Sequence, residues 1–190
     1  MTMKTAKRRK VAWGITGSGD KLSEIIEVMK KTERLYEEKA VVEVYLSKAG
    51  EQVLKYYRLS GDLRANFEQV WVEINANSPF LAGQLQVGKY EFLLIAPATS
   101  NTVAKIAVGI ADSLLSNSAV MALKALKPVY ILPSDFKEGM VSTKLPDGRE
   151  MKLQMRTEDV ANVRRLATMA NVSILEKPED IYAVFAKHLG

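Results

Sequence analysis

Three short runs in this 190-residue chain combine small residues with hydroxyl groups in a way that could hold a polar ligand. The first is Thr16-Gly17-Ser18-Gly19. Its two glycines allow a close backbone approach, Ser18 offers a hydroxyl, and a helix starting after it would present free N–H groups with partial positive charge. That chemistry suits a phosphate or the edge of a ring, and a plain tight turn uses the same residues. The run lacks the Gly-Lys-Ser/Thr of a P-loop, and Leu22 stands where a dinucleotide fingerprint has its last glycine. The second run is Ser47-Lys48-Ala49-Gly50, in which Ser47 can cap a helix or hold a phosphate. The third, Ala96-Pro97-Ala98-Thr99-Ser100-Asn101-Thr102, is the most informative. A helix cap needs one polar side chain; four in succession, with Lys105 one turn later, suit a ligand with several acceptors.

Each of these runs follows a predicted strand. Residues 11–16 read as a short buried strand, and Leu22, Ile25, Ile26 and Met29 then recur at helical spacing. Residues 41–46 form a second strand, residues 49–57 a helix, and Trp71-Val72-Glu73-Ile74 a third strand. Phe92-Leu93-Leu94-Ile95-Ala96 is the strongest strand and ends at Pro97; Val103, Ile106, Ala107 and Ile110 mark a helix over residues 102–110. A further helix covers residues 118–126, and a fifth strand, residues 128–133, has prolines at its ends where no ladder donor is needed. Residues 141–145 and 150–155 flank the turn sequence Pro146-Asp147-Gly148-Arg149, which predicts a hairpin flap. Thr157 is placed to cap a helix whose apolar face is Val160, Val163, Leu166 and Met169. Residues 172–175 make a last strand, and Pro178 opens a closing helix with Ile181, Val184 and Phe185.

Apolar strands alternating with amphipathic helices predict an α/β fold. The expected form is a Rossmann-like or flavodoxin-like three-layer sandwich with a mainly parallel sheet and a β-hairpin flap. In such folds ligands bind beyond the C-terminal ends of the strands, which is where the three runs lie.

Composition narrows the chemistry. With 47% hydrophobic and 26% charged residues, the chain reads as one globular domain, residues 11–190, behind a basic arm, residues 1–10. The absence of cysteine excludes disulfides, thiolate nucleophiles and cysteine-ligated zinc or iron–sulfur sites. The one histidine, His188, cannot build a histidine-rich metal site and reads as a surface residue in a final helical turn. No apolar run is long enough to span a bilayer and no signal-peptide pattern is present, so the expected location is cytoplasmic. The formal charge of +5 is carried by Lys4, Lys7, Arg8, Arg9 and Lys10, and the rest of the chain is neutral, which argues against a nucleic-acid-binding face. Trp13, Trp71 and the eight methionines read as core residues.

The stretch of residues 93–115, Leu-Leu-Ile-Ala-Pro-Ala-Thr-Ser-Asn-Thr-Val-Ala-Lys-Ile-Ala-Val-Gly-Ile-Ala-Asp-Ser-Leu-Leu, resembles the signature of a flavoprotein superfamily. Its members are homo-oligomeric flavin-containing cysteine decarboxylases and their relatives, including phosphopantothenoylcysteine decarboxylase and the prenyl-FMN synthases. Ile15-Thr16-Gly17-Ser18-Gly19 is similar to that family's first-strand loop, and Ser47 to the hydroxyl after its second strand. Within the family the chain is most similar to the archaeoflavoprotein and to flavin-dependent dihydromethanopterin reductases. The resemblance implies bound FMN, with Gly17, Ser18 and Gly19 against the cofactor and Ser47 at its phosphate. It further implies Ala98, Thr99, Ser100, Asn101 and Thr102 at the phosphate, ribityl chain and ring edge, and a homo-oligomer built from trimers.

Departures from the family pattern bear on activity. The decarboxylases carry a catalytic histidine shortly before the fourth strand, whereas Ser78-Pro79-Phe80-Leu81-Ala82-Gly83-Gln84-Leu85 has none. Their Pro-Ala-Met-Asn motif after the fifth strand is replaced by Pro133-Ser134-Asp135-Phe136. Cysteine decarboxylation is therefore not expected. The expectation is an FMN-binding redox flavoprotein that accepts electrons from reduced ferredoxin, an acidic partner that the basic arm would meet favourably. The alternative is an FMN-dependent dihydropterin reductase, with Ser134, Asp135 and the flap shaping a pocket and Asp135 binding a pterin's amino-amide edge. A third reading is a non-catalytic flavin-binding module with the arm on nucleic acid.

Overall fold

Apolar, β-branched segments build one six-stranded sheet in the computed structural model, which describes residues 8–145 and 147–190. Lys4 and Lys7 of the arm and Pro146 of the flap turn lie outside the described residues. The strands are β1 (Arg9–Ile15), β2 (Ala40–Leu46), β3 (Gln69–Val72), β4 (Leu93–Ala98), β5 (Val129–Pro133) and β8 (Val172–Ile174). All are parallel, in the order β3-β2-β1-β4-β5-β8. Strands β6 (Gly139–Lys144) and β7 (Glu150–Met155) form a separate antiparallel hairpin.

The sheet is covered on both faces, so β2 is buried at every position, as a central parallel strand should be. One core joins Val11, Trp13 and Ile15 of β1 to helices α1 (Leu22–Tyr36), α2 (Lys48–Tyr56), α3 (Ser60–Asn66) and α8 (Asp180–Leu189). The other lies under α4 (Leu81–Gln86), α5 (Ser100–Val108), α6 (Leu114–Lys124) and α7 (Thr157–Ala167). This is the expected three-layer α/β architecture with its flap. The strand order reverses between β1 and β4, the arrangement that opens a ligand crevice in doubly wound sheets.

Several local expectations are corrected. Strand β1 begins at Arg9, because Arg9 N–H bonds Lys39 O at 2.9 Å and the Lys10 ammonium pairs with Glu43 at 2.5 Å. Residues 9 and 10 are thus part of the sheet and not of a free arm. Strand β3 ends at Val72 and leaves Trp71 45% exposed, so this tryptophan is not a core residue, whereas Trp13 is fully buried. Met140 and Met151 are likewise exposed. Strand β4 runs through Pro97, which is tolerated because the pairing with β5 shifts between Ile95 and Ala98. Thr157 does not cap α7; Arg156 holds the cap position, and its guanidinium grips Asp159 at 2.6 and 2.8 Å. His188 is half-buried, its Nε2 2.8 Å from the Tyr130 hydroxyl and its ring 4.8 Å from that of Phe92. Helices α3 and α4 escaped the periodicity reading because seven and six residues are too few to show one. Among the described residues no helix is long and apolar enough to cross a membrane.

Two carboxylates, Glu43 buried and Glu33 half-buried, behave differently. Burial alone would raise Glu43, but hydrogen bonds from Lys10, Tyr90 (2.6 Å) and Tyr45 (3.1 Å) hold its carboxyl below the usual range. Among the described residues Glu33 accepts only the Val42 N–H, at 3.1 Å, and burial pushes it up to about 7. Its proton is therefore held more tightly in the folded chain than in the unfolded one, so stability falls as pH rises from the ordinary carboxylate range through about 7. Glu33→Gln should flatten that slope. Denaturant unfolding at pH 5 and pH 8 should show the wild type losing roughly 1–2 kcal/mol more than the variant, a figure that allows for solvent screening of a half-buried group. Equal losses would mean that Glu33 ionises in the fold without penalty.

Candidate functional site

Beyond β1 the chain turns at Thr16, whose buried hydroxyl donates to Pro97 O at 2.8 Å and accepts the Thr99 N–H at 2.8 Å. This pair of bonds ties the loop after β1 to the loop after β4 across the point where the strand order reverses. Thr99 also caps α5, its hydroxyl accepting the Thr102 N–H at 3.3 Å. Ser47 caps α2 by accepting the Gly50 N–H at 2.9 Å. The Gly17–Gly19 loop lies close against α2. A Cβ on Gly17 would come within 2.6 Å of the Ala49 Cβ, and one on Gly19 within 2.4 Å of the Tyr57 hydroxyl. Gly17 is thus required by close packing of the loop against α2, whereas at Gly19 the Tyr57 side chain would have to move.

The loop after β5 reaches over β4 to join them. Ser134 N–H bonds Ala98 O at 2.9 Å, and the Ser134 hydroxyl donates to Ser18 at 2.6 Å. Next to it, the Ser100 hydroxyl donates to Asp135. The three loops enclose a cavity of about 300 Å³ floored by Gly17, Ser18, Gly19, Thr99, Ser134 and Asp135. Its roof is the β6–β7 hairpin. Val141 lies opposite Leu153, and Thr143 opposite Met151, all on the face toward the cavity, with Met155 at the base. The strand period sends Met140, Lys152 and Gln154 the other way. The flap is therefore amphipathic, with its apolar face turned to the cavity. A second cavity of about 370 Å³ adjoins the first between the flap and the start of α1, and Gly19, Asp20, Tyr57, Thr143 and Leu145 border both.

Two titratable side chains on that border are perturbed. Burial raises the Asp20 carboxyl; Lys21 opposes the shift, and Asp135 and Glu24 reinforce it. Burial also raises the Tyr57 hydroxyl, with Tyr56 and Asp20 adding to it. On the far side of the Gly17 loop, Glu73 accepts the N–H of Lys48 at 3.2 Å and of Leu114 at 2.8 Å. One carboxylate so bridges the positive N-terminal ends of α2 and α6.

The residues singled out from the sequence fall into three groups. Gly17, Ser18, Gly19 and Thr99 line the cavity. Ser47, Ser100 and Asn101 stand at the helix starts beside it, Asn101 exposed. Ala98 is fully buried with its carbonyl taken by Ser134, and Thr102 is buried with its hydroxyl 3.1 Å from that of Thr99. These last two support the loops from within. Lys105 turns away to pair with Asp112 at 2.8 Å. Asp20, Tyr57 and Glu73 were not singled out. Adjacency to Gly19 was a signal for Asp20, whereas Tyr57 and Glu73 reach the site only through tertiary packing. Among the described residues no group of His, Asp and Glu side chains could hold a metal ion.

Thr16→Val keeps the shape of the side chain but leaves the half-buried Thr99 N–H without its acceptor. Unfolding in denaturant should show a loss of about 1–3 kcal/mol. A change well below that range would mean that the two loops are held together by other contacts.

Comparison with known proteins agrees with this arrangement. The sequence model of the family described as Flavoprotein matches residues 2–184. An uncharacterized Methanocaldococcus jannaschii protein is 52% identical over 180 residues, covering 95% of this chain and 96% of that one. Dihydromethanopterin reductase (acceptor) from the same organism is 31% identical, covering 93% of this chain and 95% of the reductase. Among solved structures, Burkholderia xenovorans DmrB in complex with FMN, described as a cubic protein cage for redox transfer, matches with a TM-score of 0.80 at 32% identity and 96% coverage of each chain.

Proposed function

The chain belongs to the Flavoprotein family, and on that premise we propose that it binds FMN at the ends of β1 and β4 and acts as an FMN-dependent dihydropterin reductase. One observation carries the reading: a glycine loop, two capped helix N-termini and an apolar flap converge on one crevice at the reversal of strand order. The reductase named among the relatives and the FMN complex of DmrB support it.

The residues present fit FMN. The first N–H groups of α5, at Ser100 and Asn101, have no partner within the helix, and with the Asn101 amide and the Ser47 hydroxyl they suit a phosphate. Asp135 in the cavity would repel a dianion, so the phosphate belongs at the helix ends and the ring toward the cavity. Gly17, Ser18, Gly19 and Thr99 then lie along the ribityl chain and ring edge, while Ala98 and Thr102 hold the loop. Bound FMN would supply the redox chemistry; the chain binds, orients and shields it. Asp135, anchored by the Ser100 hydroxyl, suits the paired N–H donors of a pterin's amino-amide edge, and Val141, Met151 and Leu153 cover its ring.

Electrons reach the flavin from reduced ferredoxin in this reading. The basic residues Arg8, Arg9 and Lys10 lie away from the crevice. They lie at the start of β1, seven residues or about 20 Å from Thr16 on the same subunit. A homo-oligomer, trimer-based, is the proposed assembly. Trp71, Ile74 and Phe80 leave apolar surface beside Glu73, at 45%, 67% and 72% exposure, of the kind that marks contacts between chains.

Two experiments test the proposal. The purified protein reconstituted with FMN should show flavin absorption, and Ser47→Ala and Asn101→Ala should each weaken binding about tenfold, as loss of one hydrogen bond to a charged group would. A colourless protein that cannot be reconstituted overturns it. Under anaerobic conditions, reduced ferredoxin should bleach the flavin bands and a dihydropterin should restore them. Restoration by other acceptors but not by dihydropterin would leave an electron-transfer flavoprotein, and flavin inert to both would leave a binding module.

A further inference from the structure

We propose that Asp20 is the acid that protonates nitrogen when the substrate's carbon–nitrogen double bond is reduced. The inference rests on the reductase reading above. A dihydropterin's C=N bond takes up two electrons and two hydrogens. One hydrogen arrives at carbon with the electron pair from reduced FMN, and the nitrogen needs a proton from elsewhere. As Asp20 releases that proton, the imine becomes an amine, the flavin is oxidised, and the carboxylate recovers a proton from solvent. Charge and atoms balance with reduced FMN as the only co-reactant.

The assignment follows by comparing the proton-bearing groups around the cavity. Ser18 and Ser134 are bonded to each other at 2.6 Å, and the Thr99 hydroxyl lies 3.1 Å from that of Thr102. Asp135 accepts the Ser100 hydroxyl, which fits it as an acceptor for substrate N–H groups. Tyr57 is a phenol that burial makes a weaker acid still. Asp20 alone borders both cavities as a carboxyl group, and among the described residues its carboxyl oxygens have no hydrogen-bond or ion-pair partner.

Its surroundings keep a proton on it. Burial raises its pKa, and the charges of Asp135 across the cavity and Glu24 one turn along α1 add to this, against the opposing pull of Lys21. Tyr57, from the end of α2, is the remaining titratable neighbour. Two carboxyl groups in one cavity with different partners are the usual arrangement of an acid beside an acceptor. Protonation of Asp20 also removes like-charge repulsion with Asp135, which leaves Asp135 free to hold the substrate.

The test uses the FMN-loaded protein, reduced chemically and mixed with dihydropterin in single turnovers between pH 5.5 and 8.5. The wild-type rate should fall as pH rises through the Asp20 pKa. Asp20→Asn should bind FMN normally, lose roughly 100-fold or more in rate and lose that pH limb, whereas Asp20→Glu should keep the limb. Independently of turnover, carbon NMR of labelled aspartate should show one carboxyl, absent in Asp20→Asn, that titrates above the ordinary carboxylate range. A wild type that never reduces dihydropterin overturns the reductase reading and this assignment with it. A wild type that does, with an unchanged rate and pH profile in Asp20→Asn or with the Asp20 carboxyl titrating in the ordinary range, overturns the assignment alone. Transfer of the limb to Tyr57→Phe would name the phenol instead.

Discussion

Helices α1 and α5 leave the ends of β1 and β4 toward opposite faces of the sheet, because parallel strands joined by right-handed crossovers can reverse their order only in this way. The two loops therefore diverge, and an unsupported crevice would expose backbone polar groups and splay. The buried Thr16 hydroxyl prevents this by bonding both the carbonyl of Pro97 and the N–H of Thr99. The remaining features of the site build on that link. Thr99 can cap α5 because its backbone is pinned, and Ser134 can reach Ser18 because β4 keeps the β5 loop at a fixed distance from β1.

Charge is graded across the crevice. The helix start at Ser100 is electropositive and open, whereas the cavity carries Asp135. Glu73 occupies a comparable position on the structural side, where it neutralises the starts of α2 and α6 together and fixes their spacing. A ligand with an anionic end and a flat, donor-bearing partner suits such a gradient. The flap adds an apolar roof, so the polar floor works in a medium of reduced dielectric, where hydrogen bonds discriminate more strongly.

The opposite end of the sheet has a separate polar system. Glu43, Tyr45, Tyr90 and Lys10 satisfy one another inside the core, and Arg9 and Tyr130 hold the last turn of α8 through the backbone and ring of His188. These groups stabilise the strand starts. The length of β1 separates them from the crevice, so neither the basic residues nor the histidine of this subunit enters its chemistry.

Much of this was legible in the residues alone. The apolar strands, the flap and the three strand-end runs follow from periodicity and turn chemistry, which are local properties. The lone terminal histidine and the absence of cysteine likewise settled which chemistries to set aside. Assignments that turned on a competing partner or on a strand's place in the sheet went differently. Thr157 lost its capping role once Arg156 and Asp159 paired, Lys105 turned to Asp112, and Trp71 emerged on the surface because β3 is the edge strand. Ala98 and Thr102 belong to the signature run but are enclosed by it. Tyr57 and Glu73 joined the site from 38 and 54 residues beyond Gly19 with no local mark of their own. The sequence by itself determined the elements and the hydroxyl-rich loops, since each rests on interactions a few residues apart. Only the tertiary structure decided which of those hydroxyls line the cavity and which acids share it, because that depends on the order of the strands.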